Sequence, residues 1–138
     1  MDKTLQILIL EDSSTDADLI EFELQEAGLT FDSVRAQTEG DYVRALQESS
    51  PDIILSDYDL PRYTGALALA AAKKLRPEVP FILVTGVISA GDNMCKEILV
   101  QGARECILKD HLEQLPPAVL DAVRVKSGNG SGAAARKS

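Results

Sequence analysis

A doubly wound α/β domain, a parallel sheet with helices packed on both faces, is the fold class that the sequence predicts. Three observations carry this expectation. Short apolar runs alternate five times with segments of helical periodicity, the signature of βα units and right-handed crossovers. The strongest runs lack polar alternation, as expected of strands covered on both faces. Each strong run also ends abruptly in polar or charged residues.

The first run is Leu5 to Leu10, broken only by Gln6 and ending in Glu11-Asp12. Ser13 or Ser14 is placed to cap the helix that follows, with Asp16 and Asp18 suited to its positive first turn. Ala17, Ile20, Leu24 and Ala27 fall on one helical face, and Gly28 ends the helix. Ser33 to Ala36 is a weaker strand. Gly40 to Glu48 reads as a second helix with Val43 and Leu46 inward, broken by Ser49-Ser50-Pro51. Ile53 to Leu55 is the third strand, ending in Asp57 and Asp59 before Pro61, which has no ladder donor. Gly65 to Leu75 is a third helix, with Ala68, Ala71, Ala72 and Leu75 repeating at helical spacing. Pro77 to Pro80 turns the chain into Phe81 to Val84, which ends in Thr85-Gly86. Asp92 to Gly102 is a fourth helix with Cys95, Ile98, Leu99 and Gly102 on one face. Cys106 to Leu108 is the fifth strand, ending in Lys109-Asp110. The last helix starts near Leu115, accepts Pro116 and Pro117 in its first turn, and turns Val119, Ala122 and Val123 inward. One domain is expected over residues 1–125. Residues 126–138 are small, polar and glycine-rich, and read as a flexible tail or interdomain linker.

The 138 residues carry 22 acidic against 14 basic side chains, a formal net charge of −8. That surface repels phosphate backbones and anionic lipid, so direct nucleic-acid or membrane binding is not expected. No apolar run approaches the roughly 20 residues of a membrane span. The opening residues have no signal-peptide architecture, so a cytoplasmic location is expected. Two cysteines, Cys95 and Cys106, make neither a framework nor a metal motif, and buried reduced thiols are expected. His111 is the only histidine; it is expected in a solvated turn, which leaves little for a serine–histidine triad.

The chemistry lies in how the strands end. In a parallel sheet the carboxyl ends share one edge, where open α/β folds place their ligands. Glu11-Asp12, Asp57, Thr85 and Lys109 therefore converge. Each alone has an ordinary structural reading as a helix-start acid, a capping hydroxyl or a solvated charge; four together on one edge are harder to explain so. Carboxylates about 4 Å apart repel by roughly 4 kcal/mol per pair at an effective dielectric near 20, so the acids call for a cation. An oxygen-only ligand set with open positions favours Mg²⁺. The sequence has no P-loop and no glycine-rich dinucleotide turn. A cation beside an accessible carboxylate, with a lysine and a hydroxyl, suits phosphoryl transfer onto the carboxylate itself. In that reading Lys109 neutralises charge on the phosphoryl oxygens and Thr85 donates to the product.

This constellation resembles the receiver domain of two-component response regulators over roughly residues 5 to 125. The resemblance places the family's acidic pair on Glu11 and Asp12, its phosphoacceptor on Asp57, its hydroxyl residue on Thr85 and its lysine on Lys109. Pro61, Gly65 and Gly102-Ala103 match further positions. It implies a flavodoxin-like (βα)₅ sheet with strand order 2-1-3-4-5. It also implies Mg²⁺ held by Glu11, Asp12, Asp57 and the backbone carbonyl of Asp59. A sensor histidine kinase or histidine phosphotransfer protein is the implied donor, and an output protein or domain the implied recipient of the signal. Catalysis would extend only to the domain's own phosphorylation and dephosphorylation. Three positions depart from the family pattern. Cys106 stands where an aromatic residue is usual, Asp110 follows the lysine in place of a proline that is commonly cis, and Gly86 replaces alanine. Two other classes compete: an interaction module that keeps the fold without phosphorylation, and a phosphohydrolase using Asp57 and Asp59 as nucleophile and acid.

Overall fold

The computed structural model describes residues 4–86 and 93–128, with side chains as far as residue 124. Its elements in order are β1 (Leu5–Leu10), α1 (Ser14–Glu26), β2 (Phe31–Ala36), α2 (Glu39–Glu48) and β3 (Ile53–Ser56). Then come β4 (Asp59–Leu60), β5 (Tyr63–Thr64), α3 (Gly65–Leu75), β6 (Phe81–Thr85), α4 (Met94–Val100) and β7 (Glu105–Leu108). A short 3₁₀ segment, Lys109–Gln114, leads into α5 (Leu115–Gly128).

Five parallel strands form one sheet in the order β2-β1-β3-β6-β7. With the two-residue β4–β5 hairpin set aside, this is the expected order 2-1-3-4-5. Alternation along the strands divides the apolar residues between two cores. Leu8, Leu10, Ile54, Phe81 and Leu83 join Tyr42, Leu46, Ala68, Leu69 and Ile98 on one face. Ile7, Ile9, Leu55, Ile82 and Val84 join Ile20, Leu24, Leu115 and Val119 on the other. Covered on both sides, β3 and β6 have no exposed position, which is why their sequences read as unbroken apolar runs.

The helix starts follow side-chain chemistry. The hydroxyls of Ser13, Thr38 and Thr64 accept from the backbone N–H of Asp16, Asp41 and Leu67, capping α1, α2 and α3. Gly28 follows α1 with φ of +88°, the left-handed conformation that glycine adopts at helix ends.

Several expectations are corrected. Ala27 is the exposed C-cap of α1 rather than part of its inner face. In α2 the fully buried aromatic is Tyr42, with Val43 half-buried. Tyr42 Oη donates to the Ala68 carbonyl at 2.7 Å, so a polar tip that argues against burial is satisfied inside. Removing that hydroxyl in Tyr42→Phe is expected to cost about 1 kcal/mol in urea unfolding, because a buried hydrogen bond is lost. In α4, Ile98 is buried but Leu99 is 42% exposed. Asp92, the expected start of that helix, lies outside the described residues. The 3₁₀ segment carries His111, as expected on the surface. No peptide bond among the described residues is cis, so Lys109-Asp110 is trans. Helix α5 runs to Gly128, past the expected boundary at 125; residues 129–138 of the expected tail lie outside the described residues.

The largest correction concerns the cysteines. Cys95 and Cys106 are joined in a disulfide, with Cα atoms 5.7 Å apart, in place of two reduced thiols. The sequence separation of 11 hides the contact, because α4 folds back beside β7. Among the described residues no helix is long and apolar enough to cross a membrane.

Candidate functional site: an acidic cluster at the carboxyl edge of the sheet

Strand register brings the site together. Leu10 pairs with both Ala36 and Ser56, Ser56 with Leu83, and Thr85 with Leu108. Backbone pairing continues one residue past the strands: Glu11 N–H donates to the Ala36 carbonyl and Asp57 N–H to the Leu10 carbonyl, each at 3.0 Å. Glu11 and Asp57 therefore leave the sheet from pinned positions and remain buried, at 1% and 9% exposure.

Glu11, Asp12 and Asp57 each offer a carboxylate oxygen, and these oxygens lie within 4.8 Å of one another. Asp12 is exposed and forms the open side. At that separation two ionised carboxylates repel by about 3–4 kcal/mol at an effective dielectric near 20. Lys109 supplies the counter-charge. Its Nζ lies 2.8 Å from Glu11 Oε1, 2.7 Å from Asp16 Oδ2 and 3.3 Å from Asp57 Oδ2. Burial alone would lower the lysine's pKa, but Asp16, Glu11 and Asp57 outweigh it and the net displacement is upward, so the ammonium stays charged. The Glu11 carboxyl is displaced upward, first by burial and further by the Asp57 charge, against the pull of Lys109.

The remaining contacts fix the turn and Asp57. Glu11 Oε2 accepts from Ser13 N–H at 3.1 Å. From the edge strand β2, Arg35 Nε and Nη2 donate to the Glu11 and Asp12 carbonyls, each at 3.1 Å. Asp57 Oδ1 accepts from Tyr58 N–H at 2.7 Å, which aims the other oxygen, Oδ2, at Lys109. Thr85 is buried at the end of β6. Asp59 is exposed in the β4–β5 hairpin, whose turn carries Arg62 at a positive φ of 62° after Pro61. The pair Asp57-x-Asp59 thus divides into a buried and an exposed carboxylate, and the Asp59 side chain is not part of the cluster. Gly65 packs directly against the backbone of Asp57 and Tyr58: a Cβ there would stand 3.0 Å from both Asp57 O and Tyr58 Cα and 2.7 Å from Leu83 Cδ1.

A cation suits this donor set. Glu11 Oε1 is buried and paired with the ammonium, yet makes no hydrogen bond of acceptable direction, so it retains acceptor capacity. The three acids are hard oxygen ligands with one exposed side, the chemistry that Mg²⁺ takes. Two participants escaped the sequence reading. Asp16 appeared as a first-turn acid, and only the return of Lys109 at a separation of 93 residues gives it a site partner. Arg35 sits on a weak strand, and nothing local marks its reach to the β1–α1 turn.

A sheet with ligand-type residues gathered at its carboxyl edge defines an α/β protein whose site is built from strand ends. The family model for the response regulator receiver domain matches residues 7–120, and the chain belongs to that family. A protein-glutamate methylesterase/protein-glutamine glutaminase of Rhizobium johnstonii is 28% identical over 91% of this chain and 34% of its own length. The luminescence regulatory protein LuxO of Vibrio campbellii is 31% identical over 88% of this chain and 24% of its own length. Among solved structures, a CheY-like receiver domain protein from Methanospirillum hungatei is 26% identical, with a TM-score of 0.76 over 93% of this chain and all of that one. The chain therefore spans between about a quarter and a third of the length of these curated relatives.

Proposed function

We propose that the domain takes a phosphoryl group from a histidine phosphodonor onto Asp57 and passes the change to an output partner. The observation that carries this reading is the placement of Asp57 within the acid cluster, with its Oδ2 3.3 Å from Lys109 Nζ. Asp57 Oδ2 attacks phosphorus, the phosphorus–nitrogen bond to the donor imidazole breaks, and the imidazole leaves with the bonding pair. Lys109 would balance charge on the equatorial oxygens, and Thr85, buried at the end of β6, would donate its hydroxyl to the attached group. Glu11, Asp12, Asp57 and the Asp59 carbonyl would hold Mg²⁺, which when bound neutralises the acids and the incoming phosphoryl charge. Sensor kinase or phosphotransfer protein, output partner and cytoplasmic setting follow from this reading. So does a catalytic scope limited to the domain's own phosphorylation and dephosphorylation. Intact-mass measurement after treatment with a small-molecule phosphodonor tests it: one Mg²⁺-dependent phosphoryl addition is expected, and none at any donor concentration would overturn it.

Asp16 divides the lysine's attention, holding Nζ closer than Asp57 does. Asp16→Asn is expected to raise the initial phosphorylation rate by about threefold, a gain of well under 1 kcal/mol for a partly exposed pair. A rate equal to or below that of the parent in the same assay would show that Asp16 does not restrain Lys109.

A further inference from the structure

β7 leads directly to Lys109, one of the converging strand ends, and α4 packs beside β7. Helix α4 is held unevenly. Its C-terminal end is docked: Ile98 is buried, Ala103 N–H donates to the Ile98 carbonyl at 3.0 Å, and Lys73 Nζ donates to the Gln101 carbonyl at 2.6 Å. At its N-terminal end Met94 packs, half-buried, against the core. Asn93 makes no side-chain cap, Lys96 and Glu97 are exposed, and no residue of the first turn is fully buried. The covalent contact there is Cys95–Cys106, from the first turn of α4 to the second residue of β7. Both cysteines are half-buried rather than enclosed, and partly exposed disulfides are the ones open to thiol exchange.

We infer that Cys95–Cys106 is a thiol–disulfide exchange site for low-molecular-weight thiols and disulfides, and that its state fixes or frees the start of α4. In the closing direction, the thiolate of one cysteine attacks a small disulfide and expels one thiolate. The second cysteine, deprotonated, attacks the protein sulfur of the mixed disulfide and expels the other. Two protein thiols lose two protons and two electrons, which leave on two molecules of small thiol. Opening is the reverse, driven by excess reduced thiol. Closed, the bridge ties the start of α4 to the strand that carries Lys109. Open, the first turn keeps the packing of the half-buried Met94 but loses its covalent tie to β7, so it opens more often.

The test uses the full chain without phosphodonor, so its outcome is independent of the role given to Asp57. The protein is equilibrated in a series of reduced and oxidised glutathione ratios, quenched in acid, alkylated and weighed intact. In parallel, amide hydrogen exchange is measured at the two extremes. The expected result is a two-state passage between a doubly alkylated and an unalkylated chain. Amides of Met94–Val100 should exchange about tenfold or more faster in the reduced form, with α1 and α3 unchanged. Cys95→Ser and Cys106→Ser should each match the reduced parent in both buffers. Free thiols at every ratio, stable glutathione adducts in place of the internal bridge, or identical exchange of α4 in both forms would overturn the inference. The parent protein alone decides it should either variant fold poorly.

Discussion

Asp57→Asn is expected to remain unmodified under conditions that add one phosphoryl group to the parent, while becoming more resistant to denaturant. Both effects have one cause. Asparagine keeps the size of aspartate and the acceptor for Tyr58 N–H, so the turn persists, but it offers no anionic nucleophile. It also removes a charge from a cluster whose carboxylate oxygens lie within 4.8 Å. Losing the pairing of Asp57 with Lys109 offsets part of that relief, and a net gain on the order of 1 kcal/mol in Mg²⁺-free urea unfolding is expected. Glu11, relieved of the Asp57 charge that pushes its pKa upward, ionises more readily and keeps Lys109 engaged. Persistent single labelling of the variant would move the acceptor elsewhere. A loss of stability would mean that the Lys109 contact outweighs the repulsion.

Gly65→Ala is expected to cost about 1–3 kcal/mol, as overpacking does in a site that cannot relax freely, and to slow phosphorylation as well. The added methyl meets one adaptable neighbour, Leu83 Cδ1, and two backbone atoms, Asp57 O and Tyr58 Cα. The leucine can rotate. The backbone atoms cannot yield without shifting the residue that carries the acceptor, and Gly65 N–H already holds the Tyr58 carbonyl at 2.8 Å. The coupling is the informative part: urea unfolding and the phosphorylation rate should fall together. A variant with parental stability and parental rate would show that the acceptor turn is softer than its contacts suggest.

The fold was legible because burial on both faces of the sheet writes itself locally, as in Ile53–Ser56 and Phe81–Thr85. The strand ends were legible for the same reason: where an apolar run stops, the chain has reached the edge. What stayed hidden depends on contacts between distant segments. Asp16 meets Lys109 only after α1 and β7 are both in place. Tyr42 is buried because a carbonyl of α3 awaits its hydroxyl. Cys95 and Cys106 look like two ordinary small apolar residues until the packing of α4 beside β7 sets their Cα atoms at bridging distance. The hairpin at Asp59–Thr64, with strands of two residues each, shows in the sequence only as Pro61 stopping a strand.

Arg35 carries a consequence for how long the acidic turn stays ordered. The guanidinium that satisfies the Glu11 and Asp12 carbonyls belongs to β2, which pairs with β1 alone and lies at the margin of the sheet. Margins are where sheets open first and most often. Each time β2 peels away, those two carbonyls lose their donors and the turn that presents the acids is released with it. The persistence of the site as a formed object therefore depends on a strand at the margin of the sheet as well as on β3, the buried post that leads to Asp57.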